Sequence, residues 1–396
     1  MARSTFGHGG SRVLARIVVL GWALLLSAAH AAHAASAANT SPEGDDSALE
    51  VPGSPQAGPI GTSGHFLLAE GYLVVVPTGP AVLPVNDSAI EVQQSFANTF
   101  SLSDSFLPIV DNPTRKRRIT PAEIVAGAPR SARGLDYLID GEVGRTDLSL
   151  RRGIGHGVEL SADLPVLHVG GGFLDGFIEG FHKAFSIKRS DRFSAERGGY
   201  LVYLRSGDRT VVRTADPGWG LGDLVLGAKV TLPVPPILPA GFDLAAEGLL
   251  KLPTGDRNRL FSSGSADVGV QLSGSHPFTR ARLYLNLSVV REGRWKDLGA
   301  DAATVLSASA AYEHRFFRRS AIVIEMAVSD SPLKGFRNAQ LGEKTYIATL
   351  AWKQALSPTR SVYFSFNENL FNFDDSPDFG FSLGFVQRLG AGAADR

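Results

Sequence analysis

From about residue 89 the chain alternates apolar and polar side chains with a period of two, the signature of strands with two unlike faces. In "ARLYLNLSVV", Leu283, Leu285, Leu287 and Val289 fall on one face, with Arg282, Tyr284, Asn286 and Ser288 on the other. "SADVGVQLSG" sets Val268, Val270 and Leu272 against Asp267 and Gln271, and "DLVLGAKVTL" sets Leu224, Leu226 and Val230 against Asp223 and Lys229. "FDLAAEGLLKL" opposes Phe242, Leu244 and Ala246 to Asp243, Glu247 and Lys251, and "FGFSLGFVQRL" opposes Phe379, Phe381, Leu383 and Phe385 to small residues. Roughly twelve such segments can be counted, mostly near the nine to eleven residues that a tilted strand needs to cross a bilayer. Strands of soluble proteins run about five or six residues.

The connections add a second regularity. "RRG" (151–153), "SHPFTR" (275–280), "RFFRRS" (315–320) and "LSPTR" (356–360) read as tight turns. Between them lie long, charged, glycine-rich stretches at 253–265, 291–303, 329–344 and 371–378. Every tight turn falls on one side and every long loop on the other, as in bacterial outer-membrane barrels. Phe278, Phe316, Phe317 and Trp352 beside the short turns, and Tyr200 and Trp219 near the long-loop ends, fit two aromatic girdles. The expected fold is all-β, a transmembrane antiparallel up-and-down β-barrel of about 12 strands spanning residues 89–390, with a short tail at 391–396. A soluble sandwich with wet outer faces explains the alternation but not the strand lengths, and an eight-stranded lipocalin-like barrel would not use this much chain.

One segment breaks the period. "GGGFLDGFIEGFHKAF" (170–185) repeats Phe173, Phe177, Phe181 and Phe185 every four residues, with Leu174 and Ile178 widening the stripe. It predicts one amphipathic helix in an outer loop, its apolar face turned to lipid, barrel wall or an apolar ligand. Asp175, Glu179 and His182 share the polar face, where a metal or acid–base cluster is geometrically possible, though a di-metal site would need a matching second helix that the sequence does not offer; the plainer reading is a solvated helix face.

Composition narrows the classes. The 396 residues carry a net charge of +0, so the basic footprint that nucleic acid requires is missing. There is no cysteine, which removes disulfides and thiolate metal sites. At the amino end, Arg12 and Arg16 precede the apolar run "IVVLGWALLLSAA" and the small-residue stretch "AHAAHAASA", which together read as a cleaved secretory signal over 1–34. Residues 35–64 are rich in Ser, Pro, Gly and Ala, and read as a flexible linker. Residues 65–88 are apolar but interrupted by Pro77, Pro80 and Pro84, and read as an arm or a plug.

On the membrane reading, the polar faces line the lumen: Glu159, Asp163, Asp223, Lys229, Asp243, Glu247, Lys251, Asp267, Gln271, Arg282, Asn286 and Glu325. Both signs are present, which suits either a cross-linked polar core or a narrow aqueous path. The glycine clusters "GIGHGVE" and "GLGDLVLG" open strands and read as room for curvature and bulges. The nucleophile-elbow, zinc-helix and phosphate-loop motifs are missing, and no metal or cofactor is expected. "TRKRR" (114–118) places four basic residues in the first long loop, within reach of anionic head groups.

The signal, the strand rhythm, "GGGFLDGFIEGFHKAF", "LKLPTGD" and the phenylalanine-rich last strand together resemble an uncharacterised family of bacterial outer-membrane β-barrel proteins known only as a domain of unknown function. The resemblance covers roughly residues 85–390. "KLPTGD" followed by "GSADVGV" is similar, more weakly, to outer-membrane channels linked to aromatic-compound metabolism. The family implies fold and location and brings no substrate or catalytic residues. Barrels of this kind often end on an aromatic residue, whereas here Leu389 is followed by "GAGAADR". The leading expectation is a passive channel or carrier in the cell outer membrane for a small solute, an apolar one included. Its partners would be outer-membrane lipid and the barrel-assembly machinery. A lipid-modifying enzyme built on Asp175, Glu179 and His182, and a structural envelope barrel, are the alternatives.

Overall fold

The computed structural model describes residues 58–61, 66–110, 118–127, 135–174, 176, 196–206, 209–214, 216–317, 319–370 and 379–390. Among them fifteen strands form one continuous antiparallel sheet. These are β1 (Ser88–Leu102), β2 (Leu135–Gly155), β3 (Val158–Gly170), β4 (Leu201–Ser206), β5 (Arg209–Thr214), β6 (Gly218–Leu221), β7 (Leu224–Thr231) and β8 (Asp243–Leu252). There follow β9 (Asp267–Pro277), β10 (Ala281–Arg291), β11 (Thr304–Phe317), β12 (Ser320–Ser329), β13 (Thr345–Ser357), β14 (Arg360–Asn369) and β15 (Phe379–Leu389).

β1 pairs with β2 on one side and with β15 on the other, from Ser88 opposite Leu389 to Asn98 opposite Phe379, so the sheet closes on itself. β4 and β5 form a hairpin that extends the long-loop end of β2 where β3 has turned away. β6 and β7 are two halves of one strand, both pairing β3. Setting aside the hairpin and counting that broken strand once leaves a closed barrel of twelve strands.

The break has a local cause. Pro165 in β3 has no N–H to give the ladder, and opposite it the chain bulges through Gly222, whose amide bonds the Pro165 carbonyl at 2.9 Å. A side chain at Gly222 would run into the Pro165 ring. The turn between β2 and β3 is set by His156 and Gly157, with φ of 54° and 71°, the two positive values that a tight hairpin turn requires. It lies beyond "RRG", which belongs to β2 itself, so that turn comes a few residues later than the charge cluster suggested. Four connections at this end are short; residues 232–242, between β7 and β8, are longer and fold as two successive proline-started turns, Leu238 to Pro235 and Phe242 to Pro239.

The alternation maps onto the wall as expected. Leu148, Leu150, Leu160, Val268, Val270, Leu285, Leu287, Leu350, Phe364 and Leu383 are exposed on the outside, while Glu159, Lys229, Lys251, Asp267, Gln271 and Glu325 are buried inside. Exposed aliphatic side chains at every second position around a whole barrel would be a liability in water and are the ordinary state against hydrocarbon.

At the long-loop ends of β1, β2 and β4 the outer face is covered. The first loop folds back over it through α1 (Leu107–Val110) and α2 (Pro121–Ala126). Thr120 caps α2 by accepting from the Glu123 amide while Glu123 reaches back to the Thr120 amide, and Pro121 occupies the first helical position. Phe106, Val110, Ile119 and Ile124 then pack on Phe100, Leu138, Leu201 and Tyr203.

Leu287 is 59% exposed in the middle of β10. Its replacement by arginine is expected to destabilise the barrel in lipid vesicles by about 2–4 kcal/mol. Urea unfolding should show that loss, and a loop exchange such as Asp297→Arg should not.

Candidate functional site

The barrel interior is occupied by the protein's own amino-terminal segment. Gly58 and Ile60 lie near the tight-turn end, where the Gly58 amide donates to Glu313 at 3.2 Å and Lys353 Nζ donates to the Gly58 carbonyl. Residues 67–71 form a 3-10 turn at the opposite, long-loop end. The chain then descends: Leu73 meets Asp267, Thr78 meets Asn286 and Gln271, and Leu83 meets Glu159 beside the tight turns. The two legs run side by side, since Gly61 backs onto Val76 and Gly58 onto Gly79. Gly58–Gly61, read from composition as linker, therefore lie in the lumen with the arm.

Among the described residues the arm forms no strand pairing with the wall, yet its peptide groups are buried and need partners. The wall supplies them from side chains. Lys251 is the densest node: Nζ bonds Asp223 at 2.5 Å, the Gly71 carbonyl at 2.8 Å and the Ser265 carbonyl at 3.1 Å, with Asp267 at 3.4 Å. Asp267 in turn accepts from the Leu73 and Gly293 amides, and Asp223 from the Gly255 amide. One lysine thus ties the top of the arm to β8, β9 and their connecting loop. Lys229 pairs with Glu247 at 3.5 Å and donates to the Gly79 carbonyl, while Glu247 also accepts from the Thr78 hydroxyl. Glu70 of the arm pairs with Arg145, which also holds Asp147 at 2.7 Å.

An apolar cluster completes the long-loop end. Phe66, Leu67, Leu68 and Tyr72 pack with Trp295, Leu260, Phe261, Leu333 and Leu341 from the loops and with Tyr137 and Ile139 from β2. Tyr72 meets Trp295 edge to face at 5.5 Å. Gly71 lies under the same indole, where a Cβ would approach it to 2.5 Å. Beside this cluster Glu292 is buried with neither carboxylate oxygen partnered. Burial, reinforced by the charge of Asp267, pushes its carboxyl up from 4.5 to about 9.

Two cavities flank the arm. The larger, about 300 Å³, lies toward β1, β2, β3 and β7 and is lined by Glu91, Arg145, Asp147, Arg151 and Asp163 against Val74, Val76 and Val82. The smaller, about 90 Å³, lies toward β10 to β13.

Of the lumen residues read from sequence, Glu159, Asp223, Lys229, Glu247, Lys251, Asp267, Gln271 and Asn286 hold the arm or one another. Asp163 and Glu325 line the cavities. Asp243 and Arg282 do not belong deep inside: they pair at 2.8 Å at the tight-turn rim, and the Asp243 side chain is 54% exposed. Missed were Glu70, Arg145, Asp147, Glu313 and Lys353. The signal was available in "GRTDLSLRRG", where Arg145, Asp147, Ser149 and Arg151 alternate with Leu148 and Leu150.

The phenylalanine segment is described only at its start. Phe173 and Leu174 are not helical; both amides donate to Glu142 on the outer face of β2. That clamp separates the two side chains predicted to share a face: Phe173 is exposed, edge-on to Phe96, while Leu174 is buried against Phe379. Phe177, Ile178, Phe181, Phe185, Asp175, Glu179 and His182 lie outside the described residues, as do residues 114–117 of the basic cluster. Among the described residues no group of acidic or histidine side chains is arranged to hold a metal ion.

Fold and lumen together define a twelve-stranded antiparallel barrel whose bore holds its own amino-terminal arm. The chain belongs to the DUF3187 family, described as proteins of unknown function, whose model matches residues 131–389. A comparison with curated proteins gave no match. Among solved structures it is similar to the COG4313 outer membrane channel from Pseudomonas putida F1, at 13% identity over 80% of this chain and 100% of that one, TM-score 0.48. It is also similar to the NanC porin (9%, 76% and 100%, TM-score 0.39) and to the CymD monoaromatic hydrocarbon channel (10%, 78% and 90%, TM-score 0.34).

Two exchanges test the anchoring. Lys251→Met leaves Asp223 and Asp267 buried without a counter-charge and is expected to cost about 3–5 kcal/mol. Limited proteolysis should then cut the arm in a barrel that still resists heat on a gel. Glu292 is neutral in the folded protein up to about pH 9 but ionises near 4.5 when unfolded. Its own contribution to stability is therefore full below pH 4.5 and is lost as pH rises toward 9. Glu292→Gln should remove that fall, raising the unfolding midpoint at pH 8 and leaving it unchanged at pH 4.

Proposed function

We propose that this protein is a passive channel or carrier of the bacterial outer membrane, closed at rest by its arm and passing a small solute along the arm's flank. The apolar outer face supports placement in a bilayer, with the long loops outside the cell and the tight turns toward the periplasm. Export by a cleaved signal, contact with outer-membrane lipid and insertion by the barrel-assembly machinery belong to the same reading.

The observation that carries it is the way the arm is held. A segment meant to seal a barrel for good could join the wall or fill the bore with apolar side chains. Here it is bonded one group at a time by Lys251, Asp267, Asn286, Lys229, Glu159 and Glu313, with about 300 Å³ left beside it. Each such bond is worth about 0.5–1.5 kcal/mol net, more where a charge takes part. Those on one side can be exchanged for bonds to a polar solute while the others hold.

Planar-bilayer recording of the full chain should show discrete events of small conductance. Lys251→Met, which frees the top of the arm, should lengthen or enlarge them. A barrel silent both in the parent and in this variant, at voltages that open other barrels, would overturn the channel reading.

A further inference from the structure

The smaller cavity is walled on one side by Leu73 and Val75 of the arm with Val290 and Val305 of the barrel, and on the other by polar side chains. Three of these, Asn286, Ser309 and Glu325, are at least nine-tenths buried and each keeps an atom without a hydrogen-bond partner: Nδ2, Oγ and Oε2. They are neighbours on three adjacent strands. Asn286 of β10 stands directly opposite Ser309 of β11, and Ser309 stands opposite Ala327 of β12, two residues from Glu325 on the same inner face. Asn286 uses its other amide atom, Oδ1, to accept from the Thr78 amide of the arm, so its Nδ2 is left for whatever enters the cavity.

Unmade hydrogen bonds of buried groups are costly, and three side by side on one cavity wall specify a guest. The guest's chemistry follows by elimination. An ammonium could donate to Glu325 but would face the Asn286 N–H as donor against donor. A carboxylate or phosphate could accept from Asn286, but no lysine or arginine lines this cavity to offset its charge. A hydroxyl does both, accepting from Asn286 Nδ2 and donating to Glu325 Oε2, with Ser309 taking either role. The opposite wall suits a short hydrocarbon body, and the volume of about 90 Å³ equals about three water molecules.

We propose that this cavity is a binding site for a small neutral alcohol, a hydroxyl on a short apolar body. Its meaning in transport rests on the channel reading above: it names the class of solute that the flank of the arm would accept. The binding measurement is separate from any flux measurement. Binding without conductance would overturn the channel reading alone, and conductance without alcohol binding would overturn this one alone.

Saturation-transfer NMR on the full chain in detergent micelles, with 2-propanol as the probe and isopropylammonium and acetate as comparators, is the test. Transfer to 2-propanol is expected to exceed that to either ion. Asn286→Leu, which keeps the volume but removes the donor together with the acceptor for the Thr78 amide, should weaken alcohol binding about tenfold, and Ser309→Ala, which leaves the arm's bond in place, about threefold. Ser309→Ala keeps the test decisive if the leucine variant does not fold. Equal or stronger transfer to either ion, unchanged affinity in the variants, or a cavity holding ordered water only would overturn the proposal.

Discussion

A closed barrel has no free edge, and that constraint shapes everything inside this one. The backbone of each wall strand is spent on its two neighbours, so along the bore a segment that enters meets side chains, and backbone groups join in only at its two ends, where the Ser263 amide donates to the Gly71 carbonyl and the Asn86 amide to the Gly153 carbonyl. The arm brings peptide groups that cannot stay unbonded once water is displaced. The mixed charge of the lumen follows: carboxylates for the arm's amides, lysines for its carbonyls, and enough of each to neutralise the other. Lys251 shows the economy of this, joining two strands, a loop and the arm through a single ammonium buried from solvent.

The two ends of the arm are held by different forces. Near the tight turns and in the middle the contacts are polar and separate. At the long-loop end Phe66, Leu67, Leu68 and Tyr72 supply part of the apolar core on which the loops themselves fold. Trp295 and Phe261 are fully buried in that core. Full withdrawal of the arm would expose that core, whereas a shift of the descending leg between Leu73 and Leu83 would leave it intact. Both cavities border this leg.

Much of this was legible in the chain. The strands, their sidedness and the phasing of turns followed from period-two alternation, because an outer face in hydrocarbon and an inner face in a polar bore leave little freedom at any position. Gln271 and Asn286 could be placed inside for the same reason. What they bond could not be read, because the arm has neither a strand period nor a helix period; its conformation is set by partners far along the chain, 194 residues away for Leu73 and Asp267 and 295 for Gly58 and Lys353. Asp243 and Arg282 have the parity of lumen residues but sit at strand ends, and depth along a strand is what alternation does not encode. Phe173 and Leu174 depart from the shared face for a different reason: the clamp from Glu142 holds both amides just ahead of Gly176, which is helical.

One feature of the arm's course bears on how the molecule can be put together. Its legs lie side by side, with the descending leg returning to the same end of the bore at which Gly58 sits. The described arm is thus a bight of rope laid into a tube, and no knot is involved. Such a loop can enter after β1 has met β15, and it can be drawn back without parting any pair of strands. For the described residues, then, the path of the arm imposes no order on closing the wall and filling the bore.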